Sequence, residues 1–360
     1  MPLRNPRVRA ILSQIHGWLP ARGLAVVGDG AGWSLDHDAR ELVRTMRRCG
    51  HRASERFAPA RHGVAFFASR EQAIDQMGRW RRMAVSVCMP YYHGYPGLGE
   101  ESFNRVYEGF RRNHEYVARV QVTHARMRAY LLETGISPAK VHTIRIGVDA
   151  AAFRPPTPDE RVAVRKRLGI PESALVIGSF QKDGVGWGEG LEPKLIKGPD
   201  ILLRALALVR TRMPELFLLL SGPARGYVRH ELTAAHIPFV HVNLSDYREM
   251  PALYHALDAY VVASRQEGGP KAVLESMAAG VPIVSTRVGQ AAEIILHGQN
   301  GWLADVDDAE AIAHFTLKSL GDRAWLAAYQ RHARRTAEEN AYEAQAPLWM
   351  AFFDGLLPRL

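Results

Sequence analysis

Twice along this chain, short aliphatic and β-branched runs alternate with stretches whose apolar residues recur every three or four positions, and that alternation constrains the fold most. In the first half, strands are read at 24–27, 64–68, 84–89, 117–122 and 141–146, with helical stretches at about 34–49, 101–116 and 125–134. In the second half, strands are read at 175–180, 216–220, 239–242, 259–263 and 282–286. Helices fall between them at 199–212, from about 227, and at 250–256, 270–279 and 291–296; a broken helical run extends from Ala309 toward Trp349. Strands alternating with helices imply parallel sheets covered on both faces. The run Phe153-Arg154-Pro155-Pro156-Thr157-Pro158 interrupts the pattern, and proline stiffens a chain and halts pairing. The expected architecture is α/β, with two doubly wound halves and a short link. The 360 residues also exceed what one core usually fills.

Apolar runs such as 216–220 and 281–284 are far too short to cross a bilayer, and the opening Met1-Pro2-Leu3-Arg4 makes a poor signal peptide. Cys49 and Cys88 have no paired spacing, so neither a disulfide framework nor a zinc site is expected and a reducing cytoplasm fits. The net charge of +9 points to acidic partners. Arginines cluster at Arg44/Arg47/Arg48/Arg52/Arg56, Arg79/Arg81/Arg82 and Arg105/Arg111/Arg112, all in the first half. Either these are solvated helix faces, or with Trp80, Phe103 and Phe110 they form an interfacial helix at an anionic membrane surface, such as the inner face of the membrane. Nucleic acid is not expected as a partner, since no recognisable binding signature is present.

The chemistry concentrates at Glu267-Gly268-Gly269-Pro270-Lys271-Ala272 and the helix behind it. Gly268 and Gly269 loosen the chain, Pro270 suits a first helical turn, and Gly280 suits a left-handed cap at the other end. The helix start presents unpaired N–H groups and the positive end of the dipole, where a phosphate would sit. Glu275 lies one and a half turns further in and Glu267 just outside, both able to accept hydrogen bonds from a diol. The plainer reading pairs Lys271 with Glu275 at i,i+4 on a surface helix.

Glu267-x7-Glu275, the following Ser276-Met277-Ala278-Ala279-Gly280-Val281-Pro282, then Gly289, Glu293 and Asn300-Gly301 resemble the signature of the retaining group 1 (family 4) glycosyltransferases of the GT-B fold. Gly178, Lys197-Gly198-Pro199-Asp200, Leu219-Leu220-Ser221-Gly222 and Gly147-Val148-Asp149 with Phe153-Arg154-Pro155 extend the similarity over about 141–308. The resemblance implies two Rossmann-like domains facing a cleft: residues 1–150 binding the acceptor and 151–335 the nucleotide sugar, with 336–360 crossing back as a helix. It implies transfer of a sugar from a nucleoside-diphosphate sugar to a glycan, lipid-linked or small-molecule hydroxyl, with retention, in cell-envelope or exopolysaccharide assembly.

By the same resemblance, Lys197 would neutralise the donor diphosphate and Glu267 would contact the transferred sugar. Glu275 would hold the ribose hydroxyls, and the backbone of Gly269, Pro270, Lys271 and Ala272, with Gly268 and Gly178, would line the donor. Relatives often place an arginine after the glycine matching Gly178; here Ser179 follows, and Lys182 or Lys194 would supply the cation. An insertion at 182–194, glycine-dense and carrying Trp187, is either a flap over the donor or a surface loop. Gln290 stands where a second glycine is common. His93, in Tyr91-Tyr92-His93-Gly94, is the first-domain candidate for a functional histidine, or else a buried structural one; His124 is the second.

Gly28-x-Gly30-x-Gly32 lacks the third dinucleotide glycine, position 33 being Trp33, so Gly30 is read as facing donor or acceptor in the cleft. Asp36/Asp38 and Asp305/Asp307 imitate a metal-binding Asp-x-Asp, yet both fall at helix starts, where carboxylates cap or favour the dipole. No metal and no cofactor is expected, the nucleotide sugar being a co-substrate. The competing readings are a GT-B-type epimerase and a non-catalytic nucleotide-sugar-binding subunit.

Overall fold

The computed structural model describes residues 23–358 apart from Trp33, 59–60, Ala84 and 98–100. The N-terminal leader reading, Trp33 and the side chain of Arg81 therefore lie outside the described residues. Strands β1 (Gly23–Val27), β2 (Ala53–Ser54), β3 (His62–Phe67), β4 (Ser86–Pro90), β5 (Val117–Val122) and β6 (Val141–Thr143) form one sheet in the order β2-β1-β3-β4-β5-β6. Strands β7 (Leu175–Phe180), β8 (Leu216–Ser221), β9 (Phe239–Val242), β10 (Ala259–Val262), β11 (Ile283–Thr286) and β12 (Trp302–Ala304) form a second, ordered β12-β11-β10-β7-β8-β9. Neighbouring strands pair in parallel throughout both sheets. The two-residue β2 and three-residue β12 escaped the sequence reading because neither is long enough to show a period.

Helices α1 (Ser34–Arg48), α2 (Arg70–Asp75), α3 (Met77–Arg82), α4 (Glu101–Asn113) and α5 (Ala125–Leu132) flank the first sheet. The second carries α6 (Pro158–Arg167), α7 (Pro199–Arg210), α8 (Gly226–Ala234), α9 (Met250–Tyr254), α10 (Lys271–Ala279), α11 (Ala291–Ile294), α12 (Ala309–Gly321) and α13 (Arg323–Glu339). Alternate residues of its central strands feed two cores. Val176, Leu219, Tyr260 and Ile283 join one with α10 and α13; Ile177, Leu218, Val261 and Val284 join the other with α7 and α12. Burial on both faces explains why these strands read as unbroken apolar runs. The proline-rich link runs straight into α6, where Thr157 and Glu160 form a capping box and Pro158 takes the first turn.

A last helix, α14 (Ala346–Phe353), covers the first sheet. Its Trp349, Phe352 and Phe353 pack edge-on against Phe66 of β3, at ring separations of 5.6, 6.0 and 6.4 Å. It shares with α1 the cover of the face carrying Leu24, Val26, Val64 and Phe66.

Two expectations are corrected. Trp80, Phe103 and Phe110 are 5%, 4% and 0% exposed, so they are core residues of the first domain and not the apolar side of an interfacial helix. On α4, Phe103, Val106 and Phe110 recur at i, i+3 and i+7 toward the sheet, which leaves Arg105, Arg111 and Arg112 on the solvent face. The insertion 182–194 is a docked lobe and not a loose flap. Val185 donates to the Glu192 carbonyl (2.8 Å) and Lys194 to that of Asp183 (2.8 Å), while Gly226 and Tyr227 of α8 donate to Glu189 (2.6 Å) and Gly190 (2.9 Å). Under it, Arg225 Nε lies 2.8 Å from the Asp183 carboxylate, both side chains fully buried.

Candidate active site

In the second sheet, the chain leaves β7 toward β8 on one side and reaches β10 by returning to the other. Their C-terminal ends therefore diverge around a crevice, the usual ligand position in such sheets. A cavity of about 320 Å³ lies there, lined by Phe180 at the end of β7, by Gln181 and Lys182 after it, and by Glu267–Ala272 after β10. The first domain closes it with Ser34, Leu35, Asp38, Tyr92, His93 and Ile146.

Lys197 and Glu267, 70 positions apart, meet in this cavity with Nζ 2.7 Å from Oε1. Ser264 Oγ donates to the same carboxylate oxygen at 3.0 Å. Lys197 is aimed by its successor: Gly198 turns left-handed (φ +62°) against the Ala263 carbonyl, where a Cβ has no room. Such a pair puts a cation and a carboxylate side by side at a strand switch, able to meet a phosphate and a hydroxyl at once.

Helix α10 begins one residue later than expected, with Pro270 as the cap residue, and ends at Gly280 (φ +70°). Glu275 is 4% exposed, although it borders the cavity. Tyr254 donates to it at 2.8 Å and Tyr247 to its other oxygen. Burial pushes its carboxyl pKa up, against the opposing pull of Lys271. The two tyrosines stand seven positions apart, a same-face helical spacing that could have been noticed.

Lys271 does not pair with Glu275. Its ammonium reaches across the cleft to Asp38 of α1 (2.6 Å) and the Tyr342 hydroxyl (2.8 Å), and that hydroxyl donates to Asp38 (2.7 Å). Asp38 thus ties the first domain to Lys271 and Tyr342, while Asp36 accepts from the N–H groups of Gly30 (3.1 Å) and Gly32 (2.6 Å), holding the glycine loop. Asp308 caps α12 by accepting from Ala311 (2.8 Å).

Gln290 explains the absent second glycine. Its amide accepts from Ile146 N–H (2.8 Å) and donates to Ile146 C=O (3.2 Å), pairing with the first domain as a backbone segment would. Beside it, Thr123 donates to the Gly268 carbonyl (2.7 Å), and Glu293 accepts from Ala125 at the start of α5 (2.7 Å). Gly268 packs against the Tyr92 backbone with no space for a side chain. Residues read as donor contacts therefore also join the domains.

Gly178 is placed elsewhere: it lies inside β7, and a Cβ there would meet Leu257 at 2.5 Å and Tyr260 at 3.0 Å. Its smallness serves packing beneath the cleft. Lys182 borders the cavity, with its ammonium 4.7 Å over the Trp187 ring. His93 borders it too. Its Nδ1 is enclosed without a hydrogen-bond partner and its ring meets Phe103 at 5.5 Å. Burial, then the Arg70 guanidinium, holds its pKa well below the usual imidazole value. His124 is buried beside Thr123 (3.0 Å) and precedes α5.

The family described as Glycosyl transferases group 1 matches residues 189–322, which contain Lys197, Glu267, α10 and Gln290. Over that stretch the chain is similar to the group 1 glycosyl transferases. Among similar proteins is the D-inositol 3-phosphate glycosyltransferase of Jonesia denitrificans, 28% identical over 232 residues, which are 60% of this chain and 52% of that protein. Another is the lipopolysaccharide core biosynthesis mannosyltransferase LpsB of Rhizobium meliloti, 25% identical over 246 residues, 64% of this chain and 67% of LpsB. The chain spans about half the length of the first of these curated relatives. The crystal structure of Anabaena HepE in complex with UDP and glucose shares the fold, with a TM-score of 0.74 at 15% identity, over 92% of this chain and 98% of HepE. The fold is GT-B, two Rossmann-like domains facing a cleft.

His37 of α1 packs on Tyr247 across the cleft, ring centroids 4.6 Å apart. Burial, then Lys271, with Arg40 and Arg44 adding and Asp38 opposing, lowers its pKa from 6.5 to about 4. The unfolded imidazole takes up its proton near 6.5 and the folded one near 4. Stability present above pH 6.5 is therefore lost as the pH falls toward 4, by about 3 kcal/mol for this group. Denaturant midpoints at pH 7 and 4.5 should differ by less in His37→Gln than in the parent; an unchanged difference would refute this account.

Proposed function

We propose that this chain is a group 1 glycosyl transferase that moves a sugar from a nucleoside-diphosphate sugar to a hydroxyl of a glycan or lipid-linked acceptor, with retention, in cell-envelope or exopolysaccharide assembly. The observation that carries the reading is the Lys197–Glu267 pair beside the start of α10, at the strand switch of the second sheet. Lys197 would stabilise the diphosphate as negative charge builds on it, and Glu267 would orient the sugar above. Glu275, already aligned by Tyr247 and Tyr254, would take the ribose hydroxyls. His93, kept unprotonated by its surroundings, would accept a hydrogen bond on the acceptor side. The relatives' names speak of glycosyl transfer, and HepE was crystallised with UDP and glucose. Because Lys197 supplies the positive charge, we expect transfer to persist in chelator; its complete loss there would count against this assignment.

A melting screen across UDP, GDP, ADP and their sugars tests the reading. A nucleotide present at 100 times its Kd should add about 2.7 kcal/mol of stability and raise the melting temperature. Release of nucleoside diphosphate from the sugar that stabilises should then depend on Glu267. No stabilisation by any of these ligands, or turnover untouched in Glu267→Ala, would defeat the proposal.

A further inference from the structure

The 182–194 lobe places its exposed tip at the cleft. Trp187, 70% exposed, lines a second cavity of about 580 Å³, together with Gly188 of the lobe, Pro223, His241, Asn243 and Leu244 of the second domain. Ala31 and Gly32 of the glycine loop close that cavity from the first domain. A large exposed indole is unusual unless something covers it. The Lys182 ammonium covers one part of the ring at 4.7 Å, and Lys182 is itself a wall of the Lys197–Glu267 cavity. The Lys182–Trp187 contact thus links a cavity lined by Lys182, Lys197 and Lys271 with the carboxylates of Asp38, Glu267 and Glu275 to one offering an aromatic ring, the Asn243 amide and the Arg229 guanidinium.

We infer that Trp187 is the stacking surface for the nucleobase of the bound nucleoside diphosphate, set at the junction of the two cavities so that Lys182 faces the phosphates. A planar base has a π-face for the indole and amide-like edges for Asn243, while a diphosphate has neither; a nucleotide spanning both cavities satisfies both linings. The lobe is held rigidly enough to serve as a platform. Its root is the buried Asp183–Arg225 pair, and Gly190 and Glu189 accept hydrogen bonds from α8. The inference rests on the glycosyl-transfer reading for its diphosphate, and on the lobe alone for its aromatic contact.

Calorimetry with the full chain tests it, using UDP, GDP and ADP, whichever binds best, beside inorganic pyrophosphate. Trp187→Ala should weaken the best nucleoside diphosphate at least about fivefold, the lower end of base–aromatic stacking, and leave pyrophosphate unchanged. Trp187→Phe should keep affinity within about twofold of the parent, since a ring still stacks. Equal nucleotide affinity in Trp187→Ala, or equal losses for nucleotide and pyrophosphate, would overturn the inference while the transfer reading stood. If the parent binds no nucleoside diphosphate at all, the transfer reading fails first and this one with it.

Discussion

Replacing Lys197 with alanine should lower kcat for sugar transfer by about 10²–10³-fold, the loss typical when one preorganised charge-stabilising group is removed. The Lys197 side chain is three-quarters buried, with its ammonium 2.7 Å from Glu267, at the edge of a strand switch. In such a shielded place a single charge acts strongly on a leaving diphosphate. Glu267→Ala should cost a similar factor, because the carboxylate is positioned by Lys197 and by Ser264 at 3.0 Å. Since the two groups act as one unit, the double substitution should be little worse than the more damaging single one. Steady-state rates with a fixed donor measure this. A Lys197→Ala enzyme within threefold of the parent kcat would remove Lys197 from the chemistry.

Asp183→Ala should destabilise the chain by about 3–5 kcal/mol, the usual result of leaving one partner of a buried ion pair alone. Both side chains are 0% exposed, and burial raises the Asp183 pKa against the attraction of Arg225. Arg225 would remain fixed to the carbonyls of Ser179 (2.5 Å) and Ser221 (3.0 Å), with its charge uncompensated. Replacing both partners by apolar residues, as in Asp183→Leu with Arg225→Met, should recover most of the loss. Denaturant unfolding distinguishes these outcomes; a single variant as stable as the parent would show that water reaches the pair. Arg225, from the loop after β8, thus lies against Ser179, the residue that follows Gly178, and pairs with Asp183 at the root of the lobe.

Much of the frame was readable because its causes are local. Period-two and period-3.6 patterns come from neighbouring residues; α6 escapes the sequence reading although its start lies in Thr157-Pro158-Asp159-Glu160 itself, because the prolines read only as a link. The stop at Gly280 follows from one residue's freedom to turn left-handed. The Glu267–Glu275 segment likewise carries its spacing within one loop and one helix. Boundaries shifted by one to three residues where the last hydrogen bonds, and not the side-chain pattern, define the end of an element.

What sequence could not reveal is who meets whom across the cleft. Lys271 has Glu275 four positions away and still pairs with Asp38, 233 positions away, since α10 is packed on nearly all sides and its first turn faces the other domain. Gln290 reads as a lost glycine until Ile146 is found opposite both ends of its amide. Trp80, Phe103 and Phe110, flanked by arginines, read as membrane-facing until the first sheet is seen behind them. Residues 141–308 therefore carry their resemblance to the group 1 glycosyl transferases in local pattern alone. The charge pairing of its cleft, the docking of its inserted lobe and the closure between domains depend on contacts between distant segments, which only packing of the whole chain brings within a few ångströms.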